Sequence, residues 1–331
     1  MKNLKMQEEI ISNWKGDITK PVVSAICSAY NHESYIAEAI EGFLIQETDF
    51  PFEIIIHDDA STDKTADIIR KYETLYPKLI RAVYQTENRF SQGKRNGEIL
   101  YPMSKGKYVA LCDGDDYWTD PLKLQKQVVF LKNNEDYVCC FHNSIVIDGA
   151  GHILKKLLLQ SAKDYSEIEM LSANAFITTH SVMFKNIIDY DYGSSLNKVP
   201  FGDVIIWHLL GYHGKAKYLG SIKNTVYRVH LGGVWSRLDK YEKFKKTLLS
   251  KTIIEEKLRS EGIKTEEVEK SISDFIVSNL KIAIYSFDYK LFFFILKNFK
   301  DRGYNFFSTS RILIVTFFAV FKQGVKYFLK L

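Results

Sequence analysis

Two short apolar runs in the first third of the chain each stop abruptly on carboxylates. Glu53–His57 carries three consecutive isoleucines and runs directly into Asp58-Asp59, and Tyr108–Cys112 runs directly into Asp113-Gly114-Asp115-Asp116. A strand that is apolar at successive positions is buried on both faces, the situation of a parallel sheet covered by helices on either side. The surrounding pattern agrees. Val22–Ser28 is a further β-rich run, and Leu79–Tyr84 another. Ser34–Ile45, Thr62–Tyr76 and Pro121–Lys132 have helical spacing, the last with Leu122, Leu124, Val128 and Leu131 on its inner side. A polar, Gly-containing segment with a helix separates Tyr84 from Tyr108. This alternation predicts an α/β fold with a doubly wound, mostly parallel sheet, whose ligands bind beyond the carboxyl ends of the strands.

The middle of the chain is less regular. Tyr137–Ile147 reads as one strand, Ser166–Leu171 as a short helix, His180–Phe184 as a strand, Asp203–Gly211 as a helix and Lys217–Val229 as a strand pair. After Trp235 the character changes to charged helical segments, Asp239–Leu258 and Thr265–Tyr285, and then to a Phe-rich end. At 331 residues the chain exceeds the usual size of one domain, and we expect two: 1–236 catalytic and 237–331 a C-terminal helical, basic and Phe-rich extension. The net charge of +5 is uneven, because Lys281–Leu331 holds nine Lys/Arg against two Asp and the first 280 residues sum to −2. That distribution argues against a nucleic-acid binder and for a local surface interaction. Cys27, Cys112, Cys139 and Cys140 each lie in apolar surroundings with no C-x-x-C pair, as expected of buried, reduced thiols in a cytoplasmic protein. No signal-peptide-like stretch opens the chain, and the apolar run Ile312–Phe321 is too short to cross a bilayer.

The acidic clusters carry the chemistry. A third candidate, Asp203, follows Gly202 in PFGDVIIWHL. One acid beyond a strand is commonplace, and Asp63 reads equally as a helix cap. Carboxylates from two strand ends converging on one sheet edge repel one another unless a divalent cation or hydrogen-bond donors are supplied. No dinucleotide fingerprint and no Walker-type loop occurs, so phosphate is expected to be held by metal and not by a glycine loop.

The stretches VVSAICSAYNHESYIAEAI, EIIIHDDASTDKT and GKYVALCDGDDYW, with the later PFGDVIIWHLLGYHGKAKYLG and YRVHLGGVWS, resemble the family 2 glycosyltransferases. The resemblance spans roughly Val22 to Ser236. It implies the GT-A fold, a Rossmann-like sheet, and inverting transfer of a sugar from a nucleoside diphosphate donor, usually a uridine nucleotide, assisted by Mn2+ or Mg2+. Carried over by position, Ser28, Tyr30, Asn31 and Glu33 contact the nucleoside, and Asp58 or Asp59 bonds the base or ribose. Asp113-Gly114-Asp115 matches the family's Asp-x-Asp, with Asp115 on the metal and Asp113 on the ribose or a metal-bound water. Asp203 matches the second acid of a Glu-Asp pair and becomes the general base, while Gly202 stands where relatives have Glu. His230, in Tyr-Arg-x-His, is a further metal or diphosphate contact or else a packed histidine, and Arg95 passes near the donor. His142, His180 and His208 are expected to be structural, and Trp118 and Trp235 either line the acceptor site or belong to the core.

The acceptor implied by the resemblance is a glycan or a lipid-linked oligosaccharide of the cell surface. A catalytically idle nucleotide- or glycan-binding module on the same fold is the rival reading. A sugar nucleotidyltransferase would need a Gly-rich basic loop that Val22–Ser34 lacks. In the tail, Leu291–Leu296 is wholly apolar, Lys290, Lys297 and Lys300 share a helical face, and Lys322, Lys326 and Lys330 recur every fourth residue. This is the pattern of an interfacial helix that would hold the chain peripherally on the inner face of the plasma membrane. The alternative is that these phenylalanines pack on protein or in a homo-oligomer.

Overall fold

The computed structural model describes residues 4–159, 162–190, 196–263, 266–286 and 288–300. The chain forms two compact units, Met1–Arg237 and Leu238–Leu331. The first is built on a seven-stranded sheet in the order β3-β2-β1-β4-β8-β5-β9. Its strands are β1 (Val23–Ala29), β2 (Phe52–Asp58), β3 (Ile80–Tyr84), β4 (Tyr108–Leu111), β5 (Tyr137–Phe141), β8 (Met183–Lys185) and β9 (Lys215–Tyr218). Strands β3, β2, β1 and β4 are parallel, β8 runs antiparallel between β4 and β5, and β9 is parallel to β5. Helices α2 (Ile36–Leu44), α3 (Thr65–Leu75), α4 (Gly97–Met103) and α5 (Lys123–Asn133) fall between these strands. A smaller sheet, ordered β10-β6-β7, contains β6 (Ser144–Asp148), β7 (Ile153–Lys155) and β10 (Thr225–Val229).

Burial follows the period of two along the strands. Val23, Ala25, Cys27 and Ala29 of β1, Phe52, Ile54 and Ile56 of β2, and Tyr108 and Ala110 of β4 share one core with Ile36, Ile40 and Phe43 of α2, Ile69 of α3, and Leu124, Val128 and Leu131 of α5. The intervening Ile26, Ile55 and Val109 are buried as well, so both faces of the central strands are covered. All four cysteines are buried free thiols.

Three expectations are corrected. Tyr137–Ile147 is two strands, because Asn143 turns the chain: its Oδ1 accepts from the N–H groups of Ser144 and Leu159, both at 2.9 Å, and β5 and β6 enter different sheets. The strands within Lys217–Val229 do not pair with each other, since β9 joins β5 and β10 joins β6, both in parallel. His180 lies in a 3-10 turn, Thr179–Ser181, ahead of a strand that begins only at Met183.

In the second unit, α8 (Lys240–Ser260), α9 (Glu266–Tyr285) and α10 (Tyr289–Lys300) follow α6 (Glu167–Leu171) and α7 (Gly202–Gly211) of the first. Asp239 caps α8 by accepting from the N–H groups of Tyr241 and Glu242, both at 2.8 Å. Leu291 and Ile295 of α10 are buried, Phe294 packs edge-on to Tyr241, and Phe293 stays exposed. Phe294 thus packs within its own unit, against Tyr241 and Phe244. The basic end with Arg302, Arg311, Lys322, Lys326 and Lys330 lies outside the described residues. Among the described residues no helix is long and apolar enough to cross a membrane.

Lys123 places an amine in the core. Lys123 is fully buried, its Nζ 4.1 Å from the Trp118 ring centroid and donating to Gln127 Oε1 at 2.7 Å. Burial lowers its pKa to about 7. An unfolded lysine titrates near about 10.4, so the unfolded chain binds the extra proton between those values. The cost of burying the ammonium is complete below about pH 7 and fades as pH rises toward the unfolded value. Lys123→Met should therefore stabilise the fold relative to the parent most at neutral pH, with the advantage shrinking by roughly 2 kcal/mol by pH 9. Urea unfolding of both proteins at pH 7 and pH 9 checks this, and a pH-independent difference would refute it.

Candidate active site

The sheet order reverses between β1 and β4. Such a switch point opens a crevice beyond the carboxyl ends of the strands. The chain closes its walls through backbone bonds: Gly114 N–H donates to Ser28 O and Asp59 N–H to Ala29 O, both at 2.9 Å. The loop after β1, the Asp58-Asp59 corner and the Asp113–Asp116 corner thus stand side by side.

The first two corners are laced together. Asn31, at φ 54°, takes the left-handed conformation that asparagine tolerates, and its Oδ1 accepts from Thr62 N–H at 2.8 Å. Glu33 Oε2 accepts from Lys64 N–H at 2.9 Å, while Asp63 accepts from Glu33 N–H at 3.0 Å and from Thr65 N–H at 2.9 Å. Burial pushes the Asp63 carboxyl up, but the bonds from Thr65 and Glu33 outweigh it and hold the group below the usual carboxylate range. Both oxygens of Asp59 are taken by the N–H groups of Arg89 and Phe90, at 2.8 and 3.1 Å. Asn31, Glu33 and Asp59 therefore shape the loops with their polar atoms. Asp58 differs: its Oδ2 accepts from Ser61 N–H at 3.2 Å, and its buried Oδ1 has no partner among the described residues. Ser28 lies at the end of β1, and the Tyr30 ring beyond it is exposed.

At the third corner each carboxylate has a different environment. Asp116 is buried; its Oδ1 accepts from Arg228 N–H at 2.8 Å and its Oδ2 lies 3.0 Å from His180 Nδ1. His180 Nε2 reaches Ser144 Oγ at 2.6 Å, so this histidine links the acidic corner to β6. Arg228 also donates through Nε to Asp115 O at 3.1 Å and through Nη2 to Glu38, and its guanidinium lies 4.5 Å from the Tyr35 ring centroid. An antiparallel bridge between Tyr117 and Val226 completes the seam with β10.

Asp115 Oδ2 lies 2.9 Å from His230 Nε2 and 3.9 Å from His32 Nε2. Burial pushes Asp115 up, but the His230 bond and the two imidazoles outweigh it and hold the carboxyl below its ordinary value. His32 is lowered by burial against the pull of Asp115. Asp113 goes the other way: burial, then the charges of Asp115, Asp116 and Asp203, push it well above the usual range. Among the described residues no cation pairs with Asp113. One ligand atom from each of His32, Asp115 and His230 lies within 4.8 Å of the others, a donor set that fits a divalent ion. Gly149, at the turn after β6, closes the rim, since a Cβ there would sit 3.2 Å from Tyr35 Oη and 3.6 Å from His230 Cβ.

Asp203 is half-buried at the start of α7, with Oδ1 accepting from Val204 N–H at 2.9 Å. Burial raises its pKa, against the pull of backbone N–H groups and of Arg95. Arg95 donates to the carbonyls of Asn197 and Val199, and its Nη1 would lie 3.3 Å from a Cβ at Gly202. Trp235 is half exposed, edge-on to Phe201 at 5.2 Å. Trp118 is core, with Nε1 donating to His180 O at 2.9 Å and its ring against Phe43. His142 and His208 are buried, their Nδ1 atoms bonded to Asn143 O and Leu171 O. Sequence reasoning passed over His32 and Arg228; the His in Tyr-Asn-His-Glu was the only available signal for the first.

Comparison with known proteins places this geometry. The family described as Glycosyl transferase family 2 matches residues 24–190. An uncharacterized protein of Mycobacterium tuberculosis is 38% identical over 215 residues, 64% of this chain, and the chain spans only 60% of that relative's length. An Escherichia coli protein named UDP-Glc:alpha-D-GlcNAc-diphosphoundecaprenol beta-1,3-glucosyltransferase WfaP is 29% identical over 248 residues, covering 73% of this chain and 88% of WfaP. S. aureus TarS 1-349, solved in complex with UDP-GlcNAc, shares the fold at a TM-score of 0.58 with 17% identity, over 84% of this chain and 80% of that one. The match runs through the strands that carry both acidic corners, and the chain belongs to glycosyl transferase family 2.

Proposed function

We propose that this chain is an inverting glycosyltransferase that moves a sugar from a nucleoside-diphosphate sugar, of the uridine series, to a glycan or lipid-linked acceptor in cell-surface polysaccharide synthesis. The observation that carries the reading is the meeting of Asp113, Asp115 and Asp203 at the switch point of the sheet, where one acid is held anionic and two are pushed up. The E. coli relative, whose name gives a UDP-glucose donor and a diphosphoundecaprenol acceptor, supports the donor and acceptor classes.

The chain's own groups divide the work. Asp58 Oδ1, at the end of β2 and without a partner among the described residues, offers an acceptor to a nucleoside N–H or hydroxyl, with the exposed Tyr30 ring beyond the end of the neighbouring β1. Ser28, Asn31, Glu33 and Asp59 keep that strand end in shape. Arg95 ties down the segment leading to Asp203 through the carbonyls of Asn197 and Val199. Asp203 takes the proton of the acceptor hydroxyl as that oxygen attacks the anomeric carbon, and single displacement inverts the centre without a covalent intermediate. A divalent ion held by Asp115 and His230 would neutralise the charge that builds on the departing diphosphate. Domain 1–236 performs this chemistry in our reading, and 237–331 holds it at the inner face of the plasma membrane. Flotation of the full-length protein with anionic vesicles, absent with neutral ones, is the expected result.

Asp203→Asn should lower kcat by about 10²–10⁴-fold and leave donor affinity unchanged, because a base acts on the acceptor and not on the bound donor. The pH profile adds a check with a definite sign. The base works deprotonated and burial raises its pKa, so the parent's kcat should fall on the acid side at a pH above the ordinary carboxylate value. Near-normal transfer by the variant would move the base elsewhere. Asp115→Ala should abolish metal-dependent binding of a UDP-sugar at unchanged thermal midpoint, read by calorimetry with and without Mn2+. Retained donor binding with no turnover in the parent would favour an idle binding module.

A further inference from the structure

We propose that His32 is a third metal ligand, so that His32, Asp115 and His230 form a two-imidazole, one-carboxylate face that selects a first-row transition ion over Mg2+. The inference rests on the metal-dependent reading above and adds the ligand that sets the ion's identity. Three observations carry it.

The first is spacing. Ligand atoms about 2.1 Å from one ion lie roughly 3–4 Å from one another. Asp115 Oδ2 stands 2.9 Å from His230 Nε2 and 3.9 Å from His32 Nε2, and the full set falls within 4.8 Å. The His32 separation is too long for a hydrogen bond but suits two ligands of a shared ion. The second is placement. Asn31, left-handed, turns the chain at the end of β1, and His32 N–H is pinned on Thr65 Oγ1 at 2.7 Å. The His32 ring then lies where a side chain at position 114 would be, since a Cβ on Gly114 would come 2.9 Å from Nδ1. The glycine between the two acids of Asp113-Gly114-Asp115 is thus the space that admits the imidazole. The third is accessibility. The three side chains are 11–16% exposed, so the face is walled by protein yet keeps an opening for diphosphate oxygens.

The donor set decides which ion binds. Mg2+ prefers oxygen ligands and gives up water reluctantly, whereas imidazole nitrogens favour the first-row transition ions. A site made of Asp115 and Asp113 alone would tolerate Mg2+; two imidazoles tilt it away.

The test uses the full-length protein and Mn2+ itself. Pulsed EPR of the Mn2+-loaded parent, with UDP present, should show two coupled imidazole nitrogens, and a tenfold excess of Mg2+ should displace little of the ion. In calorimetry His32→Gln should weaken Mn2+ at least tenfold while changing Mg2+ binding less than threefold. Gly114→Ala, which displaces the ring and removes no ligand, should weaken Mn2+ in the same direction. One coupled nitrogen, or His32→Gln with unchanged Mn2+ affinity while Asp115→Ala abolishes it, would overturn the His32 assignment and leave the metal reading standing. No Mn2+ binding by the parent would overturn both. The EPR count needs no variant, so a poorly folding substitution leaves the inference decidable.

Discussion

Repulsion among carboxylates at the end of β4 is the constraint to which the rest of the first unit answers. Burial raises the pKa of Asp113 and Asp116, and neighbouring charges add to it, those of Asp115, Asp116 and Asp203 at Asp113 and that of Asp115 at Asp116. The chain removes the strain one acid at a time. Asp116 is buried against His180 and the backbone of Arg228, Asp115 is given His230, and Asp203 is set at a helix N-terminus, where partial positive charge is available. Asp113 is the remainder: among the described residues no cation pairs with it, and burial with the neighbouring acids pushes its pKa well up.

Those answers explain why a second sheet exists. The partners that settle Asp115 and Asp116 come from, or are anchored to, the small sheet: Arg228 lies in β10, His230 directly after it, and His180 is held by Ser144 of β6. Arg228 is the joint, touching the acidic corner, Glu38 of α2 and the Tyr35 ring at once. A burial this complete for an arginine is tolerable because its donors are matched to a carboxylate and carbonyl and its flat face to an aromatic ring.

The sequence disclosed the half of this design that depends on local pattern. Apolar runs such as Ile54–Ile56 and Tyr108–Cys112 declare buried strands without help from the rest of the chain, and the acids that follow them declare the crevice. Elsewhere the pattern is silent about partners. Nothing in Tyr137–Ile147 announces that Asn143 will break it, because a buried turn and a buried strand are equally apolar when one side chain satisfies the backbone. The pairing of β10 with β6, and not with β9, goes with the Tyr117 to Val226 bridge, a contact between residues remote in sequence. His32 escaped for the same reason. An imidazole acquires meaning from the carboxylate opposite it, and Asp115 reaches it only through the register of two neighbouring strands.

The turn at Gly149 has a consequence for how the surroundings of His230 can be altered. It joins β6 to an outer strand, β7, that leaves Ile153 and Leu154 in solvent, and a Cβ placed on Gly149 would sit 3.2 Å from Tyr35 Oη and 3.6 Å from His230 Cβ. Lengthening a surface turn costs little, about 0.6 kcal/mol for each doubling of the loop. Residues could therefore be added at this turn with small effect on folding, beside Tyr35 and His230. The turn is a cheap place to change those surroundings while the acids stay fixed.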